Sequence, residues 1–193
     1  MPEFKFSQDW FSQHIPQWKK NLAKFIDQPN LTFLEIGTFE GRAAVWLLQN
    51  VLTHSTSFID CIDNWSFQAQ GLKLDPSLME SNFDHNIAAL GRPNAVQKMS
   101  GDSQDILRKL PTTAYDFIYI DGAHNAAAVL EDAVLSWGLL RAGGIMTFDD
   151  YQWSLAPQLL DRPKLAIDAF LSVFQGKYKL LDKQSQVTIE KIK

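Results

Sequence analysis

Short apolar runs alternate with helical patterns along this chain, and this alternation is the feature that most restricts its fold. Strand-like runs lie at 31–36, 57–62, 94–99, 115–120 and 145–148, and helical stretches separate them. Such alternation predicts a parallel sheet with helices on both faces and ligands at the carboxyl ends of the strands. Two further runs, 178–181 and 187–192, are joined by only a few residues and must pair as an antiparallel hairpin. We therefore expect a doubly wound α/β fold with a mostly parallel, seven-stranded sheet.

The segment 1–30 carries a helical pattern in place of a strand. Its apolar residues recur at spacings of three and four, which is typical of one buried helical face: Phe11, Ile15, Trp18, Leu22, Phe25 and Ile26. Pro16 is predicted to divide the stripe between two helices. We interpret 1–30 as a helical extension and 31–193 as the core of one domain. A role of the extension in covering a ligand site stays open.

The turn after the first strand has the form of a cofactor-binding loop. Gly37 and Gly41 bracket it, and their flexible backbone allows a ligand to approach closely. A dinucleotide-binding turn would read GxGxxG, whereas this one reads ExGxxxG. Glu35 would repel a pyrophosphate but suits a cation such as S-adenosylmethionine, which carries an ammonium and a sulfonium. Taken alone, the pattern is equally compatible with an ordinary strand-to-helix turn.

Polar residues also follow the second and third strands. Asp63 lies about 20 residues beyond the glycine turn, where a carboxylate usually binds a ribose diol. A turn-forming or capping role is the alternative. Asp102 and Ser103 either cap the next helix or lie beside an adenine ring. The stretch 64–75 is long enough to cover a site, and we expect Trp65 and Phe67 to face a substrate.

The fourth and fifth strands end in carboxylates. Asp121 ends the fourth strand, while Asp149 and Asp150 end the fifth, after a helix that Gly143 and Gly144 are predicted to terminate. If the two strands are neighbours, their ends lie about 5 Å apart.

Oxygen ligands without cysteine suit Mg²⁺, Mn²⁺ or Ca²⁺, so the three aspartates form a candidate metal site. Turn formation or capping would explain any one of these aspartates, but explains all three poorly. His124 lies three residues after Asp121, where an imidazole would serve as a general base for a hydroxyl proton. A helix-start histidine without a catalytic role is the alternative.

Composition narrows the class of partner. A net charge of -4 and the absence of a basic run argue against a nucleic-acid-binding protein and favour a small-molecule acceptor. The single cysteine, Cys61, excludes an intrachain disulfide, which fits a reducing cytoplasm. No apolar run approaches the roughly 20 residues of a membrane span, and the start of the chain lacks a leader pattern. Association into a homo-oligomer is left open.

Four motifs together resemble those of class I S-adenosylmethionine-dependent methyltransferases. They are LEIGTFEGR, CIDNW, GDSQDIL and the long run from YDFIYIDGAHN to MTFDDY. The resemblance covers nearly the whole chain and is to the small methyltransferase-24 type, which is similar to the catechol and macrocin O-methyltransferases. It implies a Rossmann-like fold.

The resemblance also implies roles for individual residues. Cofactor contacts are implied for Glu35, Gly37, Thr38, Gly41, Asp63, Asn64, Asp102, Ser103 and Asp121. Metal ligation is implied for Asp121, Asp149 and Asp150, with Asp150 standing where the catechol enzymes have Asn, and catalysis for His124 and Asp121. His124 replaces the catechol enzymes' Lys.

The leading hypothesis is metal-assisted O-methylation of a small hydroxylated molecule, with S-adenosylmethionine and a divalent cation such as Mg²⁺ as cofactors. One alternative is a metal-independent methyltransferase acting on nitrogen or carbon, in which the aspartates bind a substrate amine. Another is a non-catalytic cofactor-binding subunit with the same fold. A nicotinamide oxidoreductase is disfavoured because of Glu35 and because the chain lacks the second domain that such enzymes often need.

Overall fold

The computed structural model describes residues 3–66 and 75–193. The seven strands are β1 (Thr32–Ile36), β2 (Phe58–Asp63), β3 (Val96–Ser100), β4 (Tyr115–Ile120), β5 (Leu140–Phe148), β6 (Tyr178–Lys183) and β7 (Val187–Lys191). The α-helices are α1 (Ile15–Asn21), α2 (Arg42–Asn50), α3 (Pro76–Ala89), α4 (Ser103–Leu107), α5 (Ala126–Leu139) and α6 (Pro163–Val173). Phe67, which was predicted to face a substrate, lies outside the described residues.

The strands form one sheet in the order β3-β2-β1-β4-β5-β7-β6. The strands β1 to β5 pair in parallel, whereas β7 is antiparallel to both β5 and β6. The order reverses between β1 and β4, and at such a switch point the loops beyond the carboxyl ends of the strands open a crevice for a ligand. The predicted doubly wound, seven-stranded fold with a C-terminal hairpin is confirmed.

Alternate residues of the central strands face two different hydrophobic layers. On one face, Phe33, Cys61 and Phe117 pack against the N-terminal extension, α2 and α3. On the other face, Leu34, Ile118 and their neighbours pack against α4, α5 and α6. Successive side chains point to opposite faces of the sheet, so a strand that is covered on both faces needs apolar residues at nearly every position.

The N-terminal extension differs from its prediction at Pro16. The helix α1 begins at Ile15, and Pro16 lies in its first turn, so the proline does not divide two helices. Proline fits this position because the first-turn N–H has no intrahelical partner to lose. Short 3₁₀ turns at Ser12–His14 and Ala23–Phe25 flank α1. Most of the apolar stripe is buried or half-buried as expected, but Ile26 is exposed.

Gly143 and Gly144 were predicted to terminate the helix before the fifth strand, and this prediction was wrong. The helix α5 ends at Leu139, and β5 begins at the next residue, so Gly143 and Gly144 lie within the strand. The register with β4 shifts there, because Tyr115 pairs with Leu140 and Phe117 with Ile145. Gly143 has a φ of +77°, and a bulge in a strand is another place where glycine is favoured.

Within residues 3–66 and 75–193, no helix combines the length and the apolar character that a membrane span requires.

Candidate functional site

The candidate site lies at the carboxyl ends of the central strands. Backbone hydrogen bonds continue the pairing just beyond the strand ends. Gly37 N–H donates to Ile62 O at 2.8 Å, Asp121 N–H to Ile36 O at 2.8 Å, and Asp149 N–H to Ile120 O at 2.9 Å. The turns after β1, β2, β4 and β5 are therefore fixed relative to one another at one edge of the sheet.

The glycine turn requires its two glycines for geometric reasons. Gly37 and Gly41 have φ values of +84° and +77°, a region that residues with a Cβ rarely adopt. Gly41 is the N-cap of α2, and its N–H donates to Thr38 O at 2.7 Å. The turn is tight, and its role as a cofactor loop stays a prediction.

Glu35 is buried at the base of this turn, with only 2% of its surface exposed. Thr38 Oγ1 donates a hydrogen bond to Glu35 Oε2 at 3.1 Å. Burial raises the pKa of Glu35 to about 8, because a carboxylate loses its hydration in the interior. Thr38 thus orients Glu35, and a cationic group beside this carboxyl would favour its ionised form.

Asp63 joins the end of β2 to the glycine turn. Phe39 N–H donates to Asp63 Oδ2 and Trp65 N–H donates to Asp63 Oδ1, each at 2.7 Å. Burial raises the pKa of the Asp63 carboxyl despite these two hydrogen bonds. Asp63 therefore has the turn-forming role. Its carboxylate oxygens can each accept a further hydrogen bond, so this role is compatible with ribose binding, which stays a prediction.

The residues that follow Asp63 have mainly local partners. Asn64 Oδ1 accepts hydrogen bonds from Ser66 N–H at 3.0 Å and from Ser66 Oγ at 2.7 Å. Trp65 differs from its prediction, since it is buried against Phe83 and its Nε1–H donates to Phe39 O at 2.8 Å. Trp65 therefore supports the glycine turn from within the core and does not face a substrate.

Asp102 and Ser103 lie beyond β3, next to the end of β2. Gly101 N–H donates to Asp63 O at 2.9 Å, which holds this turn beside Asp63. Asp102 caps α4 by accepting from Gln104 N–H at 3.1 Å, and Ser103 Oγ donates to Asp132 Oδ1 at 2.8 Å. The capping role of Asp102 is observed, whereas contact with adenine stays a prediction.

Asp121 and Asp149 meet at the hydroxyl of Tyr119. This hydroxyl lies 2.9 Å from Asp121 Oδ2 and also within hydrogen-bond distance of Asp149 Oδ2. Burial raises the pKa of Asp121 well above its usual range, and the Asp149 and Asp150 carboxylates raise it further. Burial and Asp150 raise the pKa of Asp149 as well. The predicted convergence of the two strand ends is observed.

Asp150 faces a different partner. His124 Nε2 lies 2.7 Å from Asp150 Oδ2, and both side chains are about a quarter exposed, at 28% each. The His124 ring stacks on Trp153, with the ring centres 4.7 Å apart and the planes 14° from parallel. Asp150 itself has a φ of +58°, which is uncommon for a residue with a side chain. The predicted base is thus held between a carboxylate and an indole.

The predicted metal ligands do not form a coordination shell in this arrangement. Among the residues that the structure describes, no group of three His, Cys, Asp or Glu side chains is arranged to hold a metal ion. Asp121 and Asp149 share the Tyr119 hydroxyl, and Asp150 pairs with His124. The donor atoms are of the type that Mg²⁺ prefers, but their positions do not fit an ion.

Three side chains at this end were not predicted as site residues: Tyr119, Trp153 and Gln186. Tyr119 could have been found, because it lies two residues before Asp121 on the same strand and thus on the same face. Trp153 and Gln186 follow no motif. Gln186 belongs to the hairpin turn, whose position over the site depends on tertiary structure.

Two surface grooves lie away from these residues. A groove of about 550 Å³ is lined by residues of β5, β6 and β7, including Gly143 and Lys179. A second one, of about 430 Å³, lies beside it and reaches Asn21 of the extension. Neither is lined by a predicted site residue, so the chemistry argued from the strand ends does not involve them.

A family model described as a methyltransferase domain matches residues 34–151, which include the glycine turn and all the acidic strand ends. A relative from Acanthamoeba polyphaga mimivirus, called uncharacterized protein R132, is 32% identical over 170 residues, which are 82% of this chain and 68% of the relative. Its name carries no activity.

Solved structures share the fold at low identity. TomG, an O-methyltransferase of Streptomyces achromogenes involved in tomaymycin synthesis, was solved with S-adenosylmethionine bound. It is 18% identical with a TM-score of 0.66, over 92% of this chain and 80% of its own. A Clostridium thermocellum protein provisionally described as an rRNA methylase is 15% identical with a TM-score of 0.69, over 93% and 96%. One description names tomaymycin synthesis and the other rRNA, so proteins with this fold are described with different acceptors.

Proposed function

We propose that this chain, which belongs to the methyltransferase domain family, transfers the methyl group of S-adenosylmethionine to a hydroxyl oxygen of a small molecule. The observation that carries the proposal is the position of the buried Glu35 at the base of the glycine turn, which is itself in direct backbone contact with the acidic end of β4. Glu35, the proposed partner of the cofactor's cation, therefore lies on β1, and the candidate proton acceptor His124 lies in the loop after the neighbouring strand β4.

The cofactor assignments follow from where each group lies. Glu35, oriented by Thr38, would pair with the ammonium of the methionine part, beside the turn whose conformation depends on Gly37 and Gly41. Asp63 would accept from the ribose hydroxyls. The turn at Asp102 and Ser103, held beside Asp63, would border the adenine, with Asn64 at the edge of the same region.

The transfer is a displacement at carbon. The acceptor oxygen attacks the methyl group in line, the bond from carbon to sulfur breaks, and the sulfonium leaves as the neutral thioether of S-adenosylhomocysteine. The acceptor's proton passes to the imidazole of His124, and the Asp150 carboxylate at 2.7 Å stabilises the imidazolium that forms. Trp153 fixes the plane of the ring.

A small-molecule acceptor is supported by charge. The chain has a net charge of -4, and the ends of β4 and β5 carry three acidic side chains, of which Asp150 lies beside the predicted base. A nucleic acid would bring its phosphates against this surface, which is unfavourable. A neutral or cationic hydroxylated molecule meets no such repulsion.

The divalent cation is proposed separately from the transfer step. Three carboxylates without cysteine have the chemistry that Mg²⁺ requires, and an ion would relieve their mutual repulsion. Because their present arrangement is not a coordination shell, no step of the proposed transfer depends on the ion. Turnover in excess EDTA, compared with turnover in millimolar MgCl₂, decides whether metal assistance is part of the function.

Calorimetric titration with S-adenosylhomocysteine tests the cofactor. We expect saturable binding to the wild-type chain, and no heat at millimolar ligand would refute the proposal. The acceptor class is tested by following conversion of S-adenosylmethionine over a panel of phenols, catechols, sugars, primary amines and a short RNA. Turnover with the hydroxylated molecules alone supports O-methylation, whereas turnover with the amines or the RNA contradicts it.

A further inference from the structure

We infer that Gln186 is a positioning residue, which fixes the Asp149 carboxylate from the turn between β6 and β7. The inference rests on the proposed function for the chemistry near Asp149, whereas the contacts that support it are independent of that function. Gln186 lies more than 30 residues beyond the acidic end of β5 and is 3% exposed. A buried amide at this place needs hydrogen-bond partners, and each of its two ends has one.

The amide nitrogen faces the acidic end of the site. Gln186 Nε2 lies 3.1 Å from Asp149 Oδ2 and 3.4 Å from the Tyr119 hydroxyl. The amide oxygen faces the N-terminal extension, where Gln186 Oε1 accepts from Trp18 Nε1–H at 2.7 Å. One side chain thus connects α1 to the ends of β4 and β5.

Trp18 decides which end of the amide faces Asp149. An indole N–H is only a donor, so its partner must be the amide oxygen, which leaves the amide nitrogen to face Asp149. Trp18 is itself closely packed, because it is 2% exposed and lies edge-on against Tyr119, with the ring centres 4.8 Å apart. The orientation of Gln186 is therefore determined by a residue 168 positions away.

The turn that carries Gln186 is tied to the same part of the chain as Asp149. Tyr151 N–H donates to Ser185 O at 2.9 Å, and Gln184 N–H donates to Gln186 O at 2.8 Å. His14, just before α1, places its Nε2 4.0 Å from Asp149 Oδ1. The extension and the hairpin turn therefore approach Asp149 from two sides, and Gln186 adds a hydrogen bond to Oδ2 beside the one from the Tyr119 hydroxyl.

Two variants and one control test this chain of contacts. Gln186→Leu keeps the approximate size and removes all three side-chain hydrogen bonds, and Trp18→Phe keeps an aromatic ring and removes the indole donor. Trp46→Phe is the control, because Trp46 packs against Trp18 in the same aromatic cluster, whereas the side-chain hydrogen bonds of Gln186 go to Trp18, Tyr119 and Asp149. The chains are compared by nitrogen-15 NMR of side-chain amides, by S-adenosylhomocysteine titration, and by turnover on the most active member of the acceptor panel.

We expect the Gln186 amide protons of the wild-type chain to exchange slowly with solvent, and to lose this protection in Trp18→Phe but not in Trp46→Phe. Asp149 Oδ1 accepts from Asp150 N–H at 2.7 Å, so a displaced Asp149 would shift the carboxylate that pairs with His124. We therefore expect kcat to fall about tenfold in both test variants, with binding of S-adenosylhomocysteine unchanged within about twofold. The double variant should be no slower than Gln186→Leu alone, since both changes remove one connection.

Rapid exchange of the Gln186 amide protons in the wild-type chain would overturn the inference. Protection that persists in Trp18→Phe would overturn it as well. Neither result requires a folded variant at Gln186. Equal kcat values for Gln186→Leu and the wild-type chain would overturn it too. A wild-type chain that fails to bind S-adenosylhomocysteine contradicts the proposed function instead, and the NMR comparison then still decides the positioning of Gln186.

Discussion

The backbone of Asp121 lies where a side chain on Gly37 would stand. A Cβ built on Gly37 would be 2.1 Å from the Asp121 carbonyl oxygen and 2.5 Å from its carbonyl carbon. Both distances are too short for nonbonded atoms. The glycine turn and the end of β4 are therefore in direct backbone contact. This contact brings the candidate cofactor loop and the acidic end of the site together.

Replacement of Gly37 tests that contact. We expect Gly37→Ala to lower the free energy of unfolding by about 2–5 kcal/mol, because it adds a backbone clash to an unfavourable positive φ. Gly91→Ala is the matched control, since Gly91 has a φ of +67° and a Cβ added there would meet nothing within 4 Å, and it should cost only about 1–2 kcal/mol. Urea denaturation measures both, and equal losses would show that the contact is unimportant.

Glu35→Gln should stabilise the cofactor-free protein at alkaline pH while weakening cofactor binding. The pKa of Glu35 is about 8 in the folded chain against an ordinary value of 4.5, so the unfolded chain loses this proton first. The wild-type free energy of unfolding therefore falls as pH rises from about 4.5 to 8. Glutamine removes this dependence, and we expect a gain of about 1–3 kcal/mol at pH 8 relative to pH 5.

The same variant should bind S-adenosylhomocysteine at least about tenfold more weakly, because the charge partner of its ammonium is lost. Thermal denaturation at the two pH values and calorimetry measure the two effects. Glu40→Gln is the control. Glu40 is also buried, but both its oxygens accept hydrogen bonds, from Ser7 N–H and Asn82 Nδ2, so glutamine should destabilise the chain at both pH values. A Glu35 variant that behaves like the Glu40 variant would contradict the prediction.

Much of the fold can be predicted from the sequence because its signals are local. The apolar runs around Phe33 and Ile118, each followed by a polar turn and a helical stretch, state the order of elements directly. Parallel pairing then brings the residues after each strand to one edge, which is why Glu35, Asp63 and Asp121 could be grouped from the sequence. The prediction at Gly143 was wrong because glycine marks both a helix end and a strand bulge.

The rest of the site could not be predicted because it depends on contacts between distant segments. Gln186 reaches Asp149 from the hairpin, and Trp18 reaches Gln186 from the extension, and no periodicity or spacing indicates either contact. The pairing of Asp150 with His124, in place of a metal shell, depends on side-chain directions at two turns. Residue type indicated the chemistry, while the partners followed only from the folded chain.

Tyr115 and Asp60 provide a test of the buried polar core. Tyr115 Oη–H donates to Asp60 Oδ2 at 2.6 Å, and Asp60 Oδ1 has no partner among the described residues. Burial raises the pKa of the Asp60 carboxyl. We expect Tyr115→Phe to lower the free energy of unfolding by about 2–4 kcal/mol, because it leaves a buried acid unpaired. The loss should be larger at pH 8 than at pH 5, because the charged carboxylate is the form most destabilised by losing its donor.

Tyr178→Phe is the control, since it removes a hydrogen bond to Leu171 O near the surface and should cost about 1 kcal/mol. Denaturation at both pH values compares the two, and a pH-independent loss in Tyr115→Phe would be inconsistent with this explanation.

Variants of His124 and Asp150 distinguish a general base from a metal site. If His124 takes the acceptor's proton, His124→Gln should lower kcat by about 100-fold or more, with binding of S-adenosylhomocysteine unchanged. Asp150→Asn should also lower kcat, by a smaller factor, because the imidazolium loses its carboxylate. His85→Gln, on α3 and in contact with Glu3 O, is the control and should behave as the wild-type chain.

Repeating the turnover measurements with EDTA or MgCl₂ assigns the role of Asp150. If the Asp150 carboxylate only stabilises the imidazolium of His124, Asp150→Asn and the wild-type chain should respond equally to MgCl₂. A carboxylate that ligates an ion predicts that Asp150→Asn loses the response, while His124→Gln retains it. Because the structure pairs Asp150 with His124 at 2.7 Å, we expect the first result.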